Sequence, residues 1–462
     1  MTAPTGEAAP TETAPAPRPR PVRRALDDLG LVVTAEDIAR ISAGEPAWLA
    51  DDRRAAFDAF KSLPSEPNRL YTPYIDLRPA ELADARVVAD ADAATGAAAS
   101  LSEADAVAEL AEGRDAAIAL SDEARSAGVT VRLLHDDLDA AHDLLTREGS
   151  LPVDDRFAQL TRAAWTQGLL IDIPAGVQLE HPIVVRWALG EAHRALLTRT
   201  IVRLGEDAHG SVVEELVPSA AADNAARQAF FAGTTEVTLG RRATLHVSSL
   251  QELPAHLIAF QHRTANVGQG AELHWALAQL GSRLVRSRVD NRLEGDNSSV
   301  EQVEIVFGGA DQLFDLTSYT THVGRDTTGN LLSKGALLDK SRSYMKGLIT
   351  IERSAVGTDS YLGEFGMNLS KAARAVAIPS LEIDQPDCRR AAHSSSVGPI
   401  DETQLFYLES RGIPPDEARK FIVLGFLEPV VARVPLADVQ DRLRELLEQK
   451  WAAGTVDSSA AA

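Results

Sequence analysis

Apolar positions along this chain follow two periods, and the period switches twice. From 25 to 167 the spacing is mainly helical. "TAEDIARISAG" opens with Thr34 followed by Asp37, a capping-box start. "EPAWLADDRRAAFDAFKSLP" brings Trp48, Leu49, Ala56, Phe57 and Phe60 near helical spacing before Pro64 stops it. "DDLDAAHDLLTREG" and "VDDRFAQLTRAAWTQG" predict two further helices, and "YTPYIDLRP" reads as extended. The Ala-, Asp- and Glu-rich stretch from about 84 to 126 is compatible with helix but poor in aromatic side chains. From 168 to 398 the period falls to two, beginning with "LLIDIPAGVQLEHPIVVRWAL". From 399 to 452 the helical period returns. Asp401 caps "ETQLFYLESRG", Gly412 ends it, and a Pro pair opens "PPDEARKFIVLGFLEPVVARVP". The last helix carries Val439, Leu443, Leu446, Leu447 and Trp451 on one face.

Inside the period-two region a unit recurs: an apolar residue, a glycine, two variable residues, then a small residue. It appears at Gly205, Gly240 and Gly268, with weaker copies at Gly295 and Gly324, at intervals of 35, 28, 27 and 29 residues. The reading is a stack, in which glycine permits a tight turn and the small residue fits inside a corner. One such unit cannot bury its own apolar face, so several must pile up. A β-sandwich of regular hairpins is the alternative; five regularly spaced copies favour a mainly β fold with a solenoid core.

Composition narrows the function. The chain has 462 residues with 46 Lys+Arg against 67 Asp+Glu, a net charge of −21. That excess of acid argues against a general nucleic-acid binder, which needs a basic face. No apolar run is long enough to span a bilayer. The first 24 residues lack a secretory apolar core and, with 453–462, are expected to be disordered tails, so the cytoplasm is the expected compartment. A single cysteine excludes an internal disulfide or a four-cysteine centre. No Gly-x-x-x-x-Gly-Lys-[Ser/Thr] loop is present, so the chain is expected to be non-catalytic and any ATP hydrolysis to come from a partner.

The stretch from about 333 to 435 is specific in a different way. "PSLEI", "HSSSVG", "QLFYLESRGI" and "EARKFIVLGFLEPV" follow one another in order, and "DDRFAQLTRAAWTQGLLIDIPAGVQLEHPI" lies upstream. Together they resemble the SufB/SufD family of iron–sulfur cluster assembly proteins over roughly 128–435. The resemblance implies a right-handed parallel β-helix between helical flanks. It also implies a SufB-type paralogue, or a second copy, paired through the β-helix, and the ABC-type ATPase SufC docked on the C-terminal helices. Iron or a transient cluster would be handled at the partner interface, with none held stably by this chain alone; whether a flavin binds stays open.

The family's Cys-x-His motif falls on Ala391 and His393. His393 is therefore the candidate metal ligand, shared with a partner's cysteine. Cys388, an odd number of residues away, would face the opposite side of a regular strand and reads as incidental. The missing cysteine makes the chain SufD-like. A SufB-like scaffold is the first alternative, and a β-helix carbohydrate-active enzyme the second.

Other residues read as structural. His181, His246, His262, His274 and His322 are scattered through the β-region; His246 and His274 are placed to stack on adjacent coils as a ladder rather than a metal site. Glu214 with Glu215, and Glu301 with Glu304, would point to opposite strand faces and so make poor catalytic pairs. Glu428 reads as part of a solvated face, and the Leu446–Leu447–Trp451 stripe as internal packing.

Overall fold

Each turn of the core gives one strand to each of two ten-stranded sheets, and strands two apart in sequence pair in parallel. The computed structural model describes residues 25–88, 103–113, 116–146, 151–220, 222 and 227–454. Its core is a parallel β-solenoid of about eight turns with helices at both termini. The first sheet runs from Gln167–Ile173 through Arg194–Leu204 and its successors to Arg374–Ile383. The second runs from Ile183–Leu189 to Arg390–Gly398. Register is unbroken, so identical faces stack: Leu245 lies opposite Leu273, and Leu273 opposite Val300. Each such fully buried side chain contributes about 1.5–3 kcal/mol relative to exposure.

The glycine unit marks one corner of five successive turns, but the reason for glycine differs from the expected one. None of Gly205, Gly240, Gly268, Gly295 and Gly324 has a positive φ. A side chain there would collide with the turn below. A Cβ on Gly295 would lie 2.0 Å from the Gln269 nitrogen, and one on Gly324 would lie 2.4 Å from the Gly295 carbonyl oxygen. The left-handed residue comes two positions later: Asp207, Arg242, Gly270, Asn297 and Asp326, with φ between 54° and 64°. The small residue after it, Ala208, Ala243, Ala271, Ser298 or Thr327, is buried. The longer first interval contains the connection 219–228, only partly among the described residues.

Helices Ala35–Ile41, Ala47–Ser62 and Arg156–Ala164 form the N-terminal layer, which packs on the outer face of the first sheet. Thr34 and Asp37 form the capping box. Buried ion pairs lock this layer down. Asp155 caps its helix through Phe157 and Ala158 and takes Arg288 Nη1 at 2.8 Å. Arg286 bridges Glu66 and Asp315, and Lys346 meets Asp315 at 2.5 Å.

Two sequence expectations change. "YTPYIDLRP" contains a 3-10 turn, Thr72–Tyr74, started by Pro73. Among the described residues of the Ala-rich stretch, Ala106–Ala111 and Ala117–Leu120 are strands, with only Asp122–Ser126 helical. Ala106, Ala108 and Leu110 bury against the first turns of the solenoid, and that packing overrides alanine's helix preference. Residues 89–102 and 114–115, and the tails 1–24 and 455–462, lie outside the described residues. At the other terminus, helices Pro415–Val431 and Ala437–Ala453 set Val423, Leu427, Leu443 and Leu447 on the outer face of the second sheet.

Candidate functional site

The last turn of the solenoid is formed by Arg374–Ile383 and Arg390–Gly398, and each strand is paired on one side only. Side chains opposite one another in a parallel register share a face. Ala391, His393 and Ser395 lie opposite Ser360, Leu362 and Glu364, all three buried in the solenoid interior. His393 therefore occupies an inward-facing position on a turn that no further turn covers, and it is exposed. Ile383 and Val397, on the same last turn, are 45% and 39% exposed. No hydrogen bond or ion pair holds the imidazole among the described residues.

Cys388 does not obey the strand-parity expectation. It lies in the corner before the strand begins at Arg390, so alternation does not govern it. Half-buried, it packs with Leu381 and Ala391 against Leu331, Ile349, Ile351, Ala355 and Leu362. Its thiol thus joins the same apolar cluster as the residue at the family's cysteine position.

One turn further in, Glu364 accepts a hydrogen bond from the Ile378 amide at 2.7 Å. Burial pushes its carboxyl up to about 8, against the Ile378 bond and the Lys346 charge, which pull it down. Sequence reading missed this acid, whose one signal is an isolated charge on the inward phase of "YLGEFGM".

The remaining histidines separate into structural roles. His246 and His274 stack at 4.4 Å with a 7° interplanar angle, and His274 Nδ1 lies 3.3 Å from Glu301. Burial, then the neighbouring His274 and His209, holds His246 down at about 4. His322 is buried inside, hydrogen-bonded to Thr327 and Ser360, and burial lowers it to about 4. His262 is pinned to Asp290 at 2.7 Å beneath the N-terminal layer. His181 is exposed.

The acids divide as the strand phase predicts. Glu214 faces inward to Ser249 and Arg263, whereas Glu215 faces outward to Arg186. Glu301 pairs with Arg433 outside, and Glu304 is buried beside Gln279. Glu428 is exposed beside Arg444. Among the described residues, no three or more His, Cys, Asp or Glu side chains converge to hold a metal ion. Leu446, Leu447 and Trp451 pack on the second sheet, while Phe406, Tyr407 and Phe421 of the two preceding helices are exposed.

Fold and site together define a parallel β-solenoid scaffold with helical flanks, closed at one end and bare at the other. The chain belongs to the SufB/SufD family: the family model described as "SUF system FeS cluster assembly, SufBD core domain" matches residues 187–426, just over half its length. It is similar to the iron–sulfur cluster assembly protein SufD of Bacillus subtilis, 28% identical over 342 residues, covering 72% of this chain and 76% of that protein. A SufBD family protein of Mycobacterium tuberculosis is 26% identical over 315 residues, 66% of this chain and 76% of the relative. The Bacillus subtilis SufB is 25% identical over 285 residues, 62% of this chain and 60% of that protein. Within the family the chain is SufD-like. No helix among the described residues is long and apolar enough to cross a membrane.

Proposed function

We propose that this chain is the SufD-like, non-enzymatic component of a cytoplasmic iron–sulfur assembly complex. A SufB-type partner pairs with it across the bare last turn, and SufC docks on its C-terminal helices. The observation that carries the reading is His393, exposed on an inward-facing position of a turn whose Ile383 and Val397 are also uncovered. A partner laid on this turn buries two aliphatic side chains and supplies the thiolate that, with the imidazole, ligates iron or a nascent cluster as cargo. ATPase docking is supported by Phe406, Tyr407 and Phe421, apolar side chains that their own fold leaves exposed. ATP-driven association of the docked ATPases would shift the solenoid interface through these helices.

The test is anaerobic reconstitution of the co-purified complex with iron and sulfide. His393→Ala is expected to lower bound iron severalfold while the unfolding midpoint stays within the about 0.5 kcal/mol typical of surface changes. Unchanged iron content would reduce His393 to a surface residue. Failure to recover a cysteine-bearing paralogue and an ABC-type ATPase in native co-purification would overturn the assignment to a complex.

A further inference from the structure

Opposite the glycine corner, the connections around 252–255, 280–283 and 309–312 form one wall of a cleft of about 400 Å³. The end of helix Ala437–Ala453 forms the other. Leu253, Leu280, Leu446 and Ala453 give it an apolar lining, and Lys450 reaches into it. The Lys450 amine donates to the Phe307 carbonyl oxygen and, at 2.7 Å, to Gln312 Oε1. Among the described residues no carboxylate lies within ion-pair distance of it. Of the three acids in the cleft wall, Glu252 pairs with Arg442, Asp311 pairs with Arg283 and Asp339 accepts from the Ala310 amide.

The amine thus has two oxygen acceptors, with the Phe314 ring centroid 5.9 Å away. The neutral amine meets both acceptors with its two protons and keeps its lone pair. Burial brings the group down to about 7, the change that turns a lysine into a nucleophile.

We propose that Lys450 is an acyl-acceptor site, which takes an acyl group from an activated acyl donor, a thioester or an acyl phosphate, admitted by this cleft. The lone pair attacks the donor's carbonyl carbon and a C–N bond forms. The C–S or C–O bond to the leaving group breaks, and the thiolate or phosphate departs with that bond's electron pair while the nitrogen loses one proton. The amide product keeps a single N–H. One of Phe307 O and Gln312 Oε1 then loses its donor, which loosens the end of the helix from the solenoid edge.

The full chain is incubated at pH 7.5 with acetyl phosphate in one arm and a short acetyl thioester in the other, and acetylation at each lysine is followed by peptide mapping. An ordinary lysine is only about 0.1% neutral at this pH. Lys450 is expected to react at least about tenfold faster than the exposed Lys340, with a pH midpoint near 7. Reaction with one donor alone supports the site and identifies its source. A rate at or below that of Lys340 in both arms, or a midpoint above about 9, overturns it. Lys450→Arg must abolish the fast phase; if that phase survives, another group carries it and the assignment falls.

Discussion

The two ends of the solenoid are built from the same strands and finished in opposite ways. At the first turn, Thr130–Leu133 pairs antiparallel with Gln167–Ile173, and Ala106–Ala111 extends the second sheet beyond Ile183–Leu189. Ala106, Ala108, Leu110, Val129 and Val131 bury there against Ile171 and Val185. At the last turn no further strand is added among the described residues, and inward-facing aliphatic side chains meet solvent. A repeat fold must end somewhere, and each end is an edge that invites pairing. This chain closes one edge with its own N-terminal residues and leaves the other uncovered among the described residues. The difference teaches that a repeat fold can be finished from its own chain at one end and left unfinished at the other, which is where the proposed site lies.

The contrast can be broken by substitution. Ile171→Ala, in the fully buried first turn, is expected to cost about 3–4 kcal/mol in chemical denaturation. Val397→Ala in the last turn is expected to cost less than about 1 kcal/mol in the isolated chain and to weaken pairing instead. Equal losses would show that the last turn is already packed.

Proton dependence sharpens it next. Glu364, near the open end, has a folded pKa raised by burial to about 8, so the folded state holds its proton where the unfolded state has released it. Its contribution therefore falls as pH rises from about 4.5 to 8, by up to a few kcal/mol. Glu364→Gln should match the parent at pH 5 and exceed its stability at pH 8; equal losses with rising pH in both would refute this. Asp155, under the N-terminal layer, behaves in reverse. Burial raises it, but Arg288, His262 and Arg286 outweigh burial and hold it well below the usual carboxylate range. Its stabilisation is complete above the ordinary aspartate value and is lost as pH falls below about 4.

The smallest effect is expected at the cysteine. Cys388→Ser places a hydroxyl against a half-buried apolar cluster and should cost about 1 kcal/mol or less, with the iron content of the complex unchanged. A large loss of iron would make the thiol a ligand and shift the chain toward a scaffold that needs no partner thiolate.

The switch from helical spacing to alternation, and the glycine unit, carried the solenoid because alternation runs through every turn and five successive turns share the stacked glycine. The closed end was hidden. Its strands are alanine-rich, and alanine's own preference is helical until neighbouring strands offer a face. His393 was legible through a motif, and register explains its inward position. Cys388 was misplaced because parity holds only within a strand, and where this strand begins depends on the preceding corner. The buried partners of Arg286 and Arg288 come from residues 66 and 155, too far along the chain for spacing to connect.

The glycine corner has a further consequence, for how the molecule tolerates change. Five successive backbones rest on one another there, so a spliced-in residue would have no room on either side. The opposite corner is as tight at Gly281, where a Cβ would lie 2.1 Å from the Leu253 carbonyl oxygen, but one of its connections, 219–228, is already the longest interruption of the repeat. Tags, probes or loops grafted for imaging belong at that connection, on the side that also holds the Lys450 cleft. The stacked corner serves as the spine of a book whose pages can be annotated only along the other margin.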